Sequence, residues 1–123
     1  MQLSIEYRDP TSLIIYENNS RSHGVEQIER IKKSISEFGF LNPVIIDAND
    51  MIIAGHARTQ SAVELGLQKI PTIRTHHLTE EQIKAYIIAD NRLAELSEWD
   101  NEILEIELDW LKEHNFDISL TGF

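Results

Sequence analysis

Four consecutive residues, Gly55-His56-Ala57-Arg58, follow the apolar run Met51-Ile52-Ile53-Ala54 and lead into a segment with helical spacing. A strand that turns through glycine into a helix leaves the first N–H groups of that helix unpaired at the positive end of its dipole, an arrangement that favours an anion, most often phosphate. Arg58 adds a planar guanidinium able to hold two phosphate oxygens at once. Many such turns bind nothing, so a tightly packed turn without a ligand is the alternative. His56, inside the turn, suits acid–base chemistry, phosphate contact or plain packing.

Two further clusters have the right chemistry to join it. Asn18-Asn19-Ser20-Arg21-Ser22-His23 is polar and aperiodic, and lies just before a helical pattern, where a loop can aim side chains at a ligand. It reads equally as a solvated connection in which Ser22 or Gly24 caps the helix. Asp90-Asn91-Arg92 sits inside a helical pattern although Asp and Asn are poor helix-interior residues, which suggests a task for their oxygens, such as holding Mg²⁺ or a ribose. An ion pair of Asp90 with Arg92 or Arg58 is the structural alternative.

Other chemistries lack support. With no cysteine, a disulfide framework, a zinc–thiolate site and a cysteine nucleophile are all excluded. His76 and His77 are adjacent in an extended stretch and project to opposite faces, which argues against their sharing a metal. His114, near a helix C-terminus, suits a dipole partner. No Ser-His-Asp order, paired metal ligands or Walker-type lysine is present.

The elements that must position these residues follow from periodicity. Leu3 to Tyr7 alternates as a half-buried strand, Asp9 to Leu13 reads as a turn or short capped helical turn, and Val25, Ile28, Ile31, Ile35 and Phe38 mark an amphipathic helix ending at Gly39. Val44-Ile45-Ile46 and the run from Met51 form a hairpin about Asp47 to Asp50. A short helix carrying Ala62, Val63 and Leu65 ends at Gly66, and Ile70 to Thr75 is a strand that Pro71 places near an edge or at a strand start. Thr79 with Gln82 opens a helix whose inner face takes Ile83, Tyr86, Ile87, Asp90, Leu93 and Leu96. Asp100 caps a last helix bearing Ile103, Leu104, Leu108 and Leu111, before a short apolar tail.

A chain of 123 residues, 41% hydrophobic, suits one domain with an ordinary core. No apolar run approaches the ~20 residues of a membrane span, and the N-terminus lacks a signal pattern, so the expectation is a cytoplasmic protein without a membrane partner. The net charge of −10 is uneven: from Glu95 to Asp117 acids outnumber bases nine to one. That segment reads as a solvated face, a partner surface or a screen against phosphate. The tail Leu120-Thr121-Gly122-Phe123 has no polar ending, which suggests the N-terminal part of something longer.

In order and spacing these segments resemble the ParB/sulfiredoxin superfamily: the Asn18-Asn19-Ser20-Arg21 loop, IERIKKSISEFGFLNPVIID, MIIAGHARTQSAVELG, IPTI and ADNRLAEL, which together span nearly the whole chain. The resemblance implies a small α/β (α+β) domain with a short mixed sheet packed by helices, its site core in residues 1–78 and a helical part in residues 79–115. It also implies a glycine turn and arginine that hold nucleotide phosphates. Partition proteins carry Gly-Glu-Arg-Arg where this chain has Gly55-His56-Ala57-Arg58, and their Glu-Asn pair for Mg²⁺ and triphosphate resembles Asp90-Asn91. The implied site comprises Asn19, Arg21, Ser22, Gly55, His56, Ala57, Arg58, Thr59, Asn91 and Arg92 for a nucleoside triphosphate, CTP or ATP, with Asp90 and Asn91 for Mg²⁺. Sulfiredoxin needs a cysteine where His56 stands, so sulfinic-acid reduction is excluded.

The pattern from Ala54 to Asp100 looks most like ParB-like domains attached to phage and bacterial DNA methyltransferases. The expectation is a nucleotide-binding regulatory module of a DNA-associated protein, reaching DNA indirectly or through another domain and able to form a homodimer. Methylase chemistry would belong to residues beyond this chain. The alternatives are a metal-dependent ParB-like nuclease or NTPase, with His56 as acid–base and Asp90 as metal ligand, and a non-catalytic interaction domain that docks a basic partner on its acidic helices.

Overall fold

β-branched residues dominate three short runs that line up into one sheet, and the computed structural model, which describes residues 1–19 and 23–123, shows why each belongs there. Strands β1 (Ile5–Arg8), β2 (Val44–Ile46), β3 (Ile52–Ala54) and β4 (Ile70–Arg74) form a mixed sheet in the order β1-β4-β2-β3. The β2–β4 pair is parallel, with Val44 opposite Thr72, and the β2–β3 and β1–β4 pairs are antiparallel. Parallel neighbours need a crossover, and the one between β2 and β4 carries β3 and helix α2 (His56–Glu64). Helices α1 (Val25–Phe38), α3 (Glu80–Glu95) and α4 (Asn101–Glu113) complete the domain, with 3-10 turns at Pro10–Ser12 and Ile118–Thr121. An α/β domain with a mixed sheet and a helical C-terminal part is therefore what the chain forms.

The core is a cluster of Leu13, Val44, Ile46, Ile52, Ala62 and Ile70, flanked by Phe40 and Leu67. Ile28 anchors α1 and Ile87 anchors α3. The hairpin tip is fixed electrostatically: Asp50, at φ 67°, takes both Arg8 guanidinium nitrogens at 2.9 and 3.0 Å and Arg74 Nη2 at 2.8 Å. These arginines hold the Asp50 carboxyl below the usual carboxylate range. The capping box at Thr79 and Gln82 and the Asp100 cap are both formed, and the His114 ring bonds the Trp110 carbonyl at 2.8 Å at the end of α4.

Two expectations are corrected. The alternating strand β1 does not bury its apolar side: Leu3, Ile5 and Tyr7 are all more than half exposed. As an edge strand it is held by its ladder to β4 and by the Thr72 hydroxyl, which donates to the Glu6 carbonyl at 2.7 Å, rather than by a layer over its side chains. The inner face expected for α3 shrinks to its middle, where Ile87 is buried; Asp90, Leu93 and Leu96 are exposed. Helix α3 meets the sheet at β3, and its later turns lie beyond that support. Among the described residues no helix is long and apolar enough to cross a membrane.

Candidate functional site

The apolar strand β3 ends because Gly55 takes φ 112°, ψ 28°, a left-handed conformation that turns the chain into α2. A Cβ at Gly55 would lie 3.0 Å from Arg58 Nη2 and 3.1 Å from Val44 Cγ2, so the absent side chain is also what lets Arg58 fold back over the turn. No side chain caps α2, and the first intrahelical backbone bond beyond the turn runs from Thr59 N–H to the Gly55 carbonyl at 2.9 Å. The N–H groups of His56, Ala57 and Arg58 are those an N-terminus leaves without an intrahelical partner.

Arg58 is anchored and incomplete. Its Nη2 donates to the Pro43 carbonyl at 2.9 Å, while its buried Nε–H has no hydrogen-bond partner. Burial lowers the guanidinium pKa, and the Asp90 carboxylate acts in the opposite sense. An orphaned cationic donor beside a helix N-terminus is an anion-binding arrangement.

A polar cleft of about 190 Å³ opens here, with Gly55, His56 and Arg58 on one wall and Ile87, Asp90 and Asn91 of α3 on the other. Asn19, His23 and Gln27 close it from the side of α1. Asn91 Nδ2 donates to the Ile87 carbonyl at 2.9 Å, so that bond leaves its Oδ1 unused, and the neighbouring Asp90 is exposed. Burial, then Asp90, push the Tyr86 phenol up. Two grooves flank the cleft. One of about 360 Å³ shares Ile31 and Arg58 and runs past Phe38 and Phe40; the other, about 520 Å³, shares Asn19, His23 and His56 and runs past Leu13, Ile15 and Val63. A larger groove of about 570 Å³ lies away from this chemistry, between α1 and the C-terminal turn, where Arg30 and Glu26 already pair.

Of the residues read from sequence, Asn19, Gly55, His56, Ala57, Arg58, Asp90 and Asn91 come together in the cleft. Arg21 and Ser22 lie outside the described residues. Thr59 is buried with its hydroxyl on the Gly55 carbonyl at 2.8 Å and lines the apolar groove instead. Arg92 points elsewhere: its guanidinium is largely exposed and pairs with Glu95 at 3.2 Å. Among the described residues Asp90 makes no ion pair within 4 Å with Arg58 or Arg92, so the structural alternative for Asp90 is not formed. Gln27 and Ile31, which line the cleft, and Tyr16, whose backbone N–H donates to His56 Nε2 at 3.2 Å, were not legible as site residues. Gln27 has a signal in hindsight, four residues after His23, whose Nδ1 lies 2.8 Å from its amide oxygen. Tyr16 has none, because it acts through its backbone.

A metal test follows from the donors. Among the described residues no group of three or more His, Asp or Glu could hold an ion. One carboxylate and one amide oxygen, at Asp90 and Asn91, suit Mg²⁺ only as a bridge to phosphates and water, the usual way that ion is bound.

Comparison with known proteins agrees with this architecture. Residues 10–91 match the family described as the ParB N-terminal domain. The chain is 42% identical over 81 residues to the ParB-like nuclease domain-containing protein YnaK of Escherichia coli (strain K12), which covers 66% of this chain and 93% of the relative. The C-terminally truncated chromosome-partitioning protein ParB of Caulobacter crescentus, solved with CTP-γ-S, superposes with a TM-score of 0.76 at 18% identity, over 97% of this chain and 69% of that one. Sulfiredoxin of Arabidopsis thaliana superposes with a TM-score of 0.54 at 18% identity, over 68% of this chain and 97% of its own.

Proposed function

The chain belongs to the ParB N-terminal domain family, and from that premise we propose that it is a nucleotide-binding regulatory module, taking a Mg²⁺–nucleoside triphosphate in the cleft at the head of α2. The observation that carries this reading is the Arg58 Nε–H, buried without a partner beside the uncapped N-terminus of α2. The phosphates would take that donor and the N–H groups of residues 56–58, and Asp90 with the Asn91 carbonyl would hold Mg²⁺ against them. Mg²⁺ would neutralise the charge that phosphates bring toward Asp90.

A cleft of about 190 Å³ is smaller than the ~300–1,000 Å³ usual for a small-molecule site, so the nucleoside would extend into one of the flanking apolar grooves. CTP is the first candidate, because the partition protein that shares this fold over nearly the whole chain was solved with a CTP analogue; ATP is the second. Leu93, Leu96, Trp99, Ile103, Ile106 and Trp110, all exposed on or between α3 and α4, would pack against a second copy once nucleotide fixes the position of α3 through Asp90 and Asn91. DNA would be reached through other domains of a partition-like factor or a DNA methyltransferase.

Calorimetric titration with CTP, ATP, GTP and UTP, with and without Mg²⁺, tests this. Selective binding that requires Mg²⁺ is expected; no heat with any nucleotide from folded protein would sink it. A second reading, a metal-dependent nuclease or NTPase, is favoured by the relative named for a ParB-like nuclease domain. It requires DNA nicking or phosphate release that disappears in Asp90→Ala.

A further inference from the structure

We propose that His56 is a positioning residue, a neutral imidazole whose Nε2 fastens the backbone of Tyr16 to the head of α2. It thereby holds the segment leading to Asn19 against the phosphate end of the helix. The role rests on reading the cleft as a nucleotide site, and the fastening itself does not.

The Tyr16 N–H donates to His56 Nε2 at 3.2 Å across forty residues of sequence. A backbone N–H can only meet a lone pair, so Nε2 carries no proton and the ring hydrogen sits on Nδ1. The same residue is engaged through its next peptide group, where the Tyr16 carbonyl accepts the Asn19 N–H at 3.2 Å. Two residues earlier, Ile14 is tied to the edge of β3 by bonds to the Asp50 carbonyl and from the Ile52 N–H, both 2.8 Å. The segment from Ile14 to Asn19 is thus held at one end by the sheet and near the other by His56. Asn19 and His56 border both the polar cleft and the apolar groove of about 520 Å³, so the bond fixes the wall these two cavities share.

A half-buried ring with no carboxylate bonded to it among the described residues is suited to staying neutral. Among the described residues, the charged or titratable side chains that line the cleft with it are His23 from the stretch before α1, Arg58 on α2 and Asp90 on α3, and of these His23 acts with burial to disfavour the imidazolium. A neutral acceptor here fastens the loop without setting a negative charge against a phosphate. Because Nε2 is occupied, the ring presents its Nδ1–H as a donor rather than a lone pair as a base.

Two measurements on ligand-free, ¹⁵N-labelled protein test the fastening. Long-range ¹H–¹⁵N spectra should show the Nδ1–H tautomer at His56, and Tyr16 amide exchange should accelerate about tenfold in His56→Ala. Titration with Mg²⁺–CTP and Mg²⁺–ATP then tests its use. His56→Gln, which keeps an uncharged acceptor near the position of Nε2, should bind within about threefold of the parent, and His56→Ala about tenfold more weakly. An Nε2–H tautomer, unchanged Tyr16 exchange in His56→Ala, or a His56→Gln protein as weak as His56→Ala would overturn the proposal. Absence of nucleotide binding by the parent protein would defeat the nucleotide reading alone, since the spectra need no ligand.

Discussion

Replacing Arg58 by alanine should separate binding from stability. In the ligand-free protein the guanidinium makes one charge-assisted bond, Nη2 to the Pro43 carbonyl, and its loss costs about 1.5–3 kcal/mol. Removing the side chain also removes a buried Nε–H with no partner, and leaving such a donor unsatisfied costs about 1–3 kcal/mol. The two nearly cancel, so the unfolding free energy of Arg58→Ala should stay within about 1.5 kcal/mol of the parent. Binding has no such cancellation. An anion that takes the Nε–H gains a charge-assisted bond worth about 1.5–3 kcal/mol, and losing it should weaken triphosphate affinity roughly tenfold to 150-fold.

Urea unfolding of the ligand-free protein and calorimetric titration with Mg²⁺–CTP and Mg²⁺–ATP read the two quantities independently. Arg58→Lys sharpens the comparison, because a single ammonium cannot serve the Pro43 carbonyl and a phosphate in the planar manner of a guanidinium. Its affinity should fall between those of the parent and Arg58→Ala. A variant that binds triphosphate within twofold of the parent, or one destabilised by more than about 3 kcal/mol, would show that Arg58 is a strut for the loop at Pro43 and refute its role as a phosphate ligand.

Three further outcomes follow from the same geometry. Gly55→Ala forces a side chain into the left-handed region and against Arg58 and Val44, so it should cost about 1–3 kcal/mol by chemical denaturation and weaken triphosphate binding as well. Asp90→Asn should abolish the enhancement of binding by Mg²⁺ and leave Mg²⁺-free affinity equal or higher, since it removes a negative charge from beside the phosphates; an intact Mg²⁺ effect would clear Asp90 of that role. Burial holds the His56 pKa below its ordinary value near 6.5, so the unfolded chain binds the extra proton first: stability should fall as pH drops below about 6.5 and level off below the folded-state pKa, and His56→Gln should flatten that limb in pH-dependent melting curves.

The turn at Gly55 was legible because three independent signals coincide there: an apolar run that ends, a residue that permits positive φ and a helical period that begins. The start of α3 was legible for a similar reason, since Thr79 and Gln82 specify a reciprocal cap whatever the helix packs on. What sequence could not show is whether a second layer covers an apolar stripe. Alternation in Ile5 and Tyr7, and the three- and four-residue spacing in Ile83, Ile87, Asp90 and Leu93, state which side chains share a face; only the tertiary arrangement decides that Ile87 is buried beside β3 while Tyr7 and Leu93 stay more than half exposed. The triplet Asp90-Asn91-Arg92 illustrates a related limit. Successive helix positions differ by about 100°, so Asp90 and Asn91 face the cleft while Arg92 turns to Glu95.

The strongly acidic composition also bears on the site differently once the fold is known. A net charge of −10 opposes an anionic ligand at long range, yet the excess acids lie mostly between Glu95 and Asp117, on exposed positions in and around α4. Charges in water are screened over about 8–10 Å, whereas the buried Arg58 Nε–H and the head of α2 would act at contact distance. On the proposed reading, anion binding would therefore depend on the four residues Gly55 to Arg58 rather than on the net charge. On the same reading the acidic surface would repel bare phosphate backbones and so favour a small, Mg²⁺-neutralised triphosphate over nucleic acid at this cleft.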